Sequence, residues 1–151
     1  MRWTEKDLAA HLERTGVRGA PNKANTSKPP FALPDEVVLD LPPPMSVNRS
    51  RRIDWRSQAK LQAWKEHADK FVLAAKSRGE LKFERIPKFS IEIVLSEDHC
   101  KIDADNGLKC IIDYLRRVDI IANDAKKNMR RIVVDWGHAP AGVRVTVRPL
   151  P

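Results

Sequence analysis

The chain has 151 residues, of which 42% are hydrophobic and 32% charged, and its formal net charge is +8. That length supports one domain with a real core and a short appendage. The positive excess favours a polyanionic partner, and nucleic acid ahead of an anionic membrane surface, because no segment approaches the ~20 apolar residues of a spanning helix.

The start, Met1-Arg2-Trp3-Thr4-Glu5, lacks the apolar core of a signal peptide, so a cytoplasmic protein is expected. Thr4 with Asp7 resembles an N-cap with an acidic first turn, and Leu8 and Leu12 then fall on one side of a short helix. After Thr15-Gly16 the composition turns to Gly, Pro, Asn, Lys and Ser as far as Pro34, which buries little apolar surface and reads as a linker. Residues 1–34 are therefore expected to be an extension, and residues 35–151 the folded domain.

Val37-Val38-Leu39-Asp40-Leu41 predicts a strand, stopped by Pro42-Pro43-Pro44. A polar, basic loop follows from Met45 to Arg52. From Ser57 a long helix is expected, with Leu61, Trp64, Ala68, Phe71, Val72 and Ala75 on one apolar face and Gly79 as its stop. Phe89, Ile91, Ile93 and Leu95 alternate with polar residues, the period-2 signal of a half-buried strand. Leu108, Ile111, Ile112 and Leu115 lie at i, i+3, i+4 and i+7 and define the buried stripe of a second helix. Ile132–Trp136 and Val143–Arg148 read as the last strands, with Gly137 to Gly142 as the turn of an antiparallel hairpin. The order strand, helix, strand, helix, strand, strand predicts an α+β domain of four strands with two helices on one face.

The chemistry centres on Asp103-Ala104-Asp105-Asn106-Gly107-Leu108-Lys109, with Asn123-Asp124 beyond the second helix. Magnesium takes oxygen ligands and keeps several waters, so two or three carboxylates suffice to hold it. A cation held there acidifies water and stabilises charge on a phosphate, and Lys109 adds a positive charge nearby. Asp105, Lys109 and Asp113 share one helical face by their spacing of four, so Asp113 either steadies the lysine or forms an ordinary surface pair. Asp124 joins the pair at 103 and 105 only if the strand after it lies beside Phe89–Leu95. The bland alternative is that Asp103 or Asp105 caps the helix and the Asp/Lys pairs are a solvated face.

Two basic constellations accompany the acids. One is Ser46, Asn48, Arg49, Arg51, Arg52 and Arg56; the other is Lys126, Lys127, Arg130 and Arg131. Arginine forks match phosphate, and Ser and Asn bond backbone oxygens, so clusters flanking one acidic pocket describe a DNA path. Each cluster alone is equally well a solvated basic loop. Trp55, Trp64 and Trp136 are expected in core and edge packing. Cys100 and Cys110 show no zinc spacing and read as free buried thiols.

Taken in order from about Val37 to Val147, Leu41-Pro42-Pro43-Pro44…Asn48-Arg49, Asp103-Ala104-Asp105-Asn106-Gly107-Leu108-Lys109…Asp113 and Asn123-Asp124 resemble the RusA family of Holliday junction resolvases. The resemblance implies a small mixed α/β fold, a homodimer, and Mg²⁺-dependent paired nicking of four-way DNA junctions in recombination and repair. By motif match it implies Asp103, Asp105 and Asp124 as metal carboxylates and Lys109 as the catalytic lysine. Three departures stand out. The family often has two acids where this chain has Asn123-Asp124, Gly107 is a poor helix residue, and the extension to Pro34 lies outside the match. A non-catalytic binder of branched or duplex DNA is the alternative from another class. A metal-dependent phosphohydrolase of nucleotides is a weaker one, since it needs no basic clusters.

Overall fold

Strand β1 (Val37–Leu41) buries Val37, Leu39 and Leu41 and turns Val38 outward, the alternation its sequence dictates. The structure is a computed structural model and describes residues 32–47 and 55–151. The expected N-terminal helix and nearly all of its linker, with Asn48, Arg49, Arg51 and Arg52, lie outside the described residues. The chain divides after Pro30, and the unit Phe31–Pro151 carries every described element.

Helix α1 (Trp55–Ser77) begins two residues ahead of Ser57 and buries Trp64, Ala68, Val72 and Ala75. It ends as expected at Gly79, whose φ of 80° lies in the left-handed region. Gly79 N–H donates to Lys76 O at 3.0 Å and Glu80 N–H to Ala75 O at 3.1 Å, the paired bonds of a Schellman cap. Strand β2 (Phe89–Ser96) buries Phe89, Ile91, Ile93 and Leu95. Helix α2 (Ala104–Arg117) buries Cys110, Ile111, Ile112, Tyr114 and Leu115. Strands β3 (Met129–Gly137) and β4 (Val143–Pro149) complete an open mixed sheet in the order β1-β4-β2-β3.

That order corrects the expected hairpin. Strand β4 pairs antiparallel with both β1 and β2, while β3 pairs parallel with β2, so the last two strands are not neighbours. The physical reason is burial. Strand β4 buries Val143, Val145 and Val147 to 1% exposure or less and needs a strand on each side, whereas β3 carries Arg130, Arg131 and Asp135 and tolerates the edge. The segment β2–α2–β3 is thus a parallel crossover unit.

The two helices are locked by a polar clamp. Tyr114 Oη donates to Asp69 Oδ1 at 2.8 Å, and Arg117 pairs with the same carboxylate at 3.2 Å. Trp64 meets the Tyr114 ring edge-on at a centroid distance of 5.2 Å. Burial, reinforced by the bond to Asp69, pushes the Tyr114 phenol well above its usual range. Tyr114→Phe is expected to destabilise the domain by about 1–2 kcal/mol, since a half-buried carboxylate loses a donor. The urea midpoint measures this, and an unchanged midpoint would show the clamp to be ornamental.

The described residues include no helix long and apolar enough to cross a membrane. Cys100 and Cys110 are free and buried as expected, and burial raises both thiols above their ordinary pKa. Of the tryptophans expected in packing, Trp64 is buried. Trp136 is 44% exposed and Trp55 is 71% exposed, so neither is a core residue.

Candidate metal and nucleic-acid site

The first acidic residue sits where α2 begins. Asp103 is the N-cap, with the extended backbone of that position, yet its carboxylate makes no capping hydrogen bond. The capping alternative is therefore not realised at Asp103, whose side chain stays exposed and uncommitted. Asp105, in the first turn, accepts the neighbouring Asn106 N–H on Oδ1 at 3.0 Å. Two exposed carboxylates with most lone pairs unused, two residues apart, fit a hard dication that keeps several of its waters. Lys109 follows on the same face and donates to Asp113 Oδ2 at 3.0 Å, an exposed i, i+4 ion pair.

The proline run is more than a strand stop. Trp64 Nε1 donates to Pro43 O at 2.8 Å, and the Cys110 thiol hydrogen-bonds the Met45 backbone. A Cβ on Gly107 would lie 2.9 Å from Pro44 Cγ and 3.2 Å from Ile102 Cδ1. Glycine is required there because Pro44 presses on the first turn of α2, which explains a residue that helix propensity disfavours. Gly142 admits Pro43 in the same way: a Cβ would come 2.3 Å from Pro43 N. These contacts fix residues 42–45 along the start of α2 and deliver half-buried Ser46 to the same end as Asp103 and Asp105.

Arg56 lies at this end too. Contacts advance together along both helices, Trp64 and Asp69 meeting Tyr114 and Asp69 meeting Arg117, so α1 and α2 start on the same side. The Arg56 guanidinium stands 5.9 Å from the Trp55 ring centroid. The packing expected of Trp55 is not realised, since its ring is exposed beside Arg56.

Asp124 lies elsewhere. Its carboxylate pairs with Arg116 at 3.4 Å, and Arg116 also reaches Asp113 at 3.7 Å, both near the C-terminal end of α2. Asp105 and Arg116 are eleven residues apart in the helix, about 16 Å along its axis. Among the described residues, Asp103, Asp105 and Asp124 are not grouped as a set placed to hold a metal. The condition set on the sequence was met, since β3 does lie beside β2, but a parallel neighbour starts at the far end of the sheet. Arg130 folds back to donate to Lys126 O at 2.9 Å, two residues beyond Asp124 in the chain. Arg131 turns onto the open sheet face opposite Ser90. Arg116 was missed by sequence reading, although its i, i+3 spacing from Asp113 was visible.

Among the described residues no group of three or more His, Cys, Asp or Glu side chains is placed to hold a metal. No protein-family model matches the chain, and no curated protein does. The open face of the sheet is not a cationic surface either. Arg144 forks onto Asp40 at 2.8 and 3.1 Å, and Arg148 pairs with Glu36 and Glu92 at 3.2 and 3.0 Å.

Proposed function

We propose that this chain is a Mg²⁺-dependent endodeoxyribonuclease that resolves four-way DNA junctions by symmetric nicking. The observation that carries the reading is the pair of uncommitted carboxylates, Asp103 and Asp105, exposed at the start of α2 with Lys109 on the same face. Beside them runs a segment that leads directly into a basic loop. The ordered resemblance to RusA-type resolvases supports the same reading and supplies the substrate class.

A dication at these carboxylates supplies Lewis acidity toward water and phosphate. The chain's own groups do the rest. Asp103 and Asp105 offer oxygen donors at the start of a helix whose first turn packs at Gly107 against Pro44 and Ile102. Lys109, steadied by Asp113, places an ammonium where negative charge develops on the phosphate. Arg56 and the basic residues of the preceding loop hold the backbone of the DNA, without reading its sequence.

The test is a synthetic four-way junction incubated with Mg²⁺ or with chelator. Paired nicks at symmetric positions, present only with the metal, are expected. Intact junctions under both conditions, with binding that weakens steeply as salt rises, would instead establish a non-catalytic DNA binder. One observation favours that second reading: among the described residues no group of three His, Cys, Asp or Glu side chains is placed to hold a metal around Asp103 and Asp105.

A further inference from the structure

The first turns of α1 carry a stripe of side chains that the proposed cleavage chemistry does not use. Trp55, Gln58, Ala59, Gln62 and Lys65 recur at the spacing of one helical face and, with Leu61, line a groove of about 480 Å³. The Trp55 ring is 71% exposed. A lone exposed tryptophan is ordinary on a protein surface, and this one differs by what surrounds it. The Arg56 guanidinium lies beside the ring, and the first turn of the helix holds no acid. Ala59, one turn on, has too small a side chain to cover the indole. Gln58 and Gln62 present amides along the groove. Gln62 Nε2 donates one hydrogen to Glu66 at 3.2 Å, which leaves the second hydrogen and the amide oxygen for a ligand. At the far end, Lys65 is close enough to α2 for its charge to be felt by the Cys110 thiol, which also bonds the Met45 backbone. The stripe therefore runs from the end of the basic loop to the flank of the helix that presents Asp103 and Asp105.

We infer that this stripe binds a single nucleobase that has left the stack of a DNA strand. The base ring lies on Trp55, its polar edge meets Gln58 and Gln62, and the phosphates beside it meet Arg56 and Lys65. Every base has a π face, so an aromatic platform takes any of them while cations follow the backbone. A bare phosphate or an acidic peptide would use the cations, but neither has a use for an open indole flanked by amides. A base costs least to unstack where pairing is interrupted, as where the arms of a branched DNA meet. The inference rests on the proposed DNA substrate and specifies the part of it that α1 grips, an unstacked base rather than a paired arm. Stacking needs no metal, so it is separable from cutting.

The test titrates the full chain, in chelator, against two labelled duplexes that differ at one bulged position, thymine in one and an abasic sugar in the other. Their phosphates are the same, so a difference in affinity reports the ring. The thymine bulge should bind at least about fivefold more tightly. Trp55→Ala should bind the two probes alike, and Trp55→Phe should retain most of the preference. Should Trp55→Ala lose its helical circular dichroism, Trp55→Gln, which keeps a helix-compatible side chain without an aromatic ring, takes its place. Equal binding of the two probes by the wild type, a preference that survives removal of the ring, or no binding of either probe overturns the inference. Intact junctions with Mg²⁺ beside a clear thymine preference would remove the nuclease reading and leave the base site standing. Symmetric nicks without that preference would do the reverse.

Discussion

Asp105→Asn is expected to abolish metal-dependent cutting of a four-way junction while leaving the junction bound. The amide keeps the shape of the side chain and an oxygen that can accept the Asn106 N–H, so the first turn of α2 survives. The helix loses one favourable charge near its N-terminus, worth about 0.3–1 kcal/mol, which a folded domain tolerates. The metal, however, loses one of two adjacent anionic donors. Since disturbing even the outer partners of a metal ligand costs 10–100-fold, removing a ligand charge should lower the nicking rate by more than about 100-fold. Binding should hold or tighten slightly, because the substitution adds one unit to a positive protein facing a polyanion. Gel-shift and nicking assays on the same junction separate the two effects. Loss of both, or of neither, removes Asp105 from the role assigned to it.

Gly142→Ala should be the most destabilising small substitution among the described glycines. Its φ of 135° lies where side chains other than glycine are strained, and a Cβ would sit 2.3 Å from Pro43 N and 2.4 Å from Pro43 Cδ. Neither atom belongs to a flexible side chain, so the proline run itself must move. Backbone strain and overpacking together should cost at least about 3 kcal/mol, lowering Tm by about 10 °C for a domain of this size. Gly79→Ala is the comparator. It also has a positive φ, of 80°, but the nearest atom to its Cβ is the end of the Lys82 side chain at 3.5 Å. It should cost only about 1 kcal/mol. Equal effects at the two sites would mean that the contact of Pro43 with Gly142 does not set the position of the loop.

The consequence of that contact is functional. Pro43 and Pro44 are held by Gly142, Gly107 and the Trp64 indole, so the segment leading to the basic loop is anchored to the same helix that presents Asp103 and Asp105. A loop that grips phosphate is useful only if its root is fixed relative to the cutting groups. The three prolines give this root little freedom to lose on folding.

The sequence by itself determined the elements and their buried faces. Period-2 alternation placed Phe89 to Leu95, the i, i+3, i+4, i+7 stripe placed α2, and Gly79 ended α1, because each signal arises within a few residues of chain. It also marked Asp103, Asp105 and Lys109 as one group, since a helix turn brings them together without help from the rest of the fold. Only the tertiary structure decided how distant pieces meet. The polarity of β3 against β2 is not written in either strand, as an apolar run reads the same in a parallel or an antiparallel partner. That one choice separated β3 from β4 and carried Asp124 to the far end of α2. It left Ile132 and Trp136 uncovered at the edge. It is likewise packing, not propensity, that requires glycine at 107.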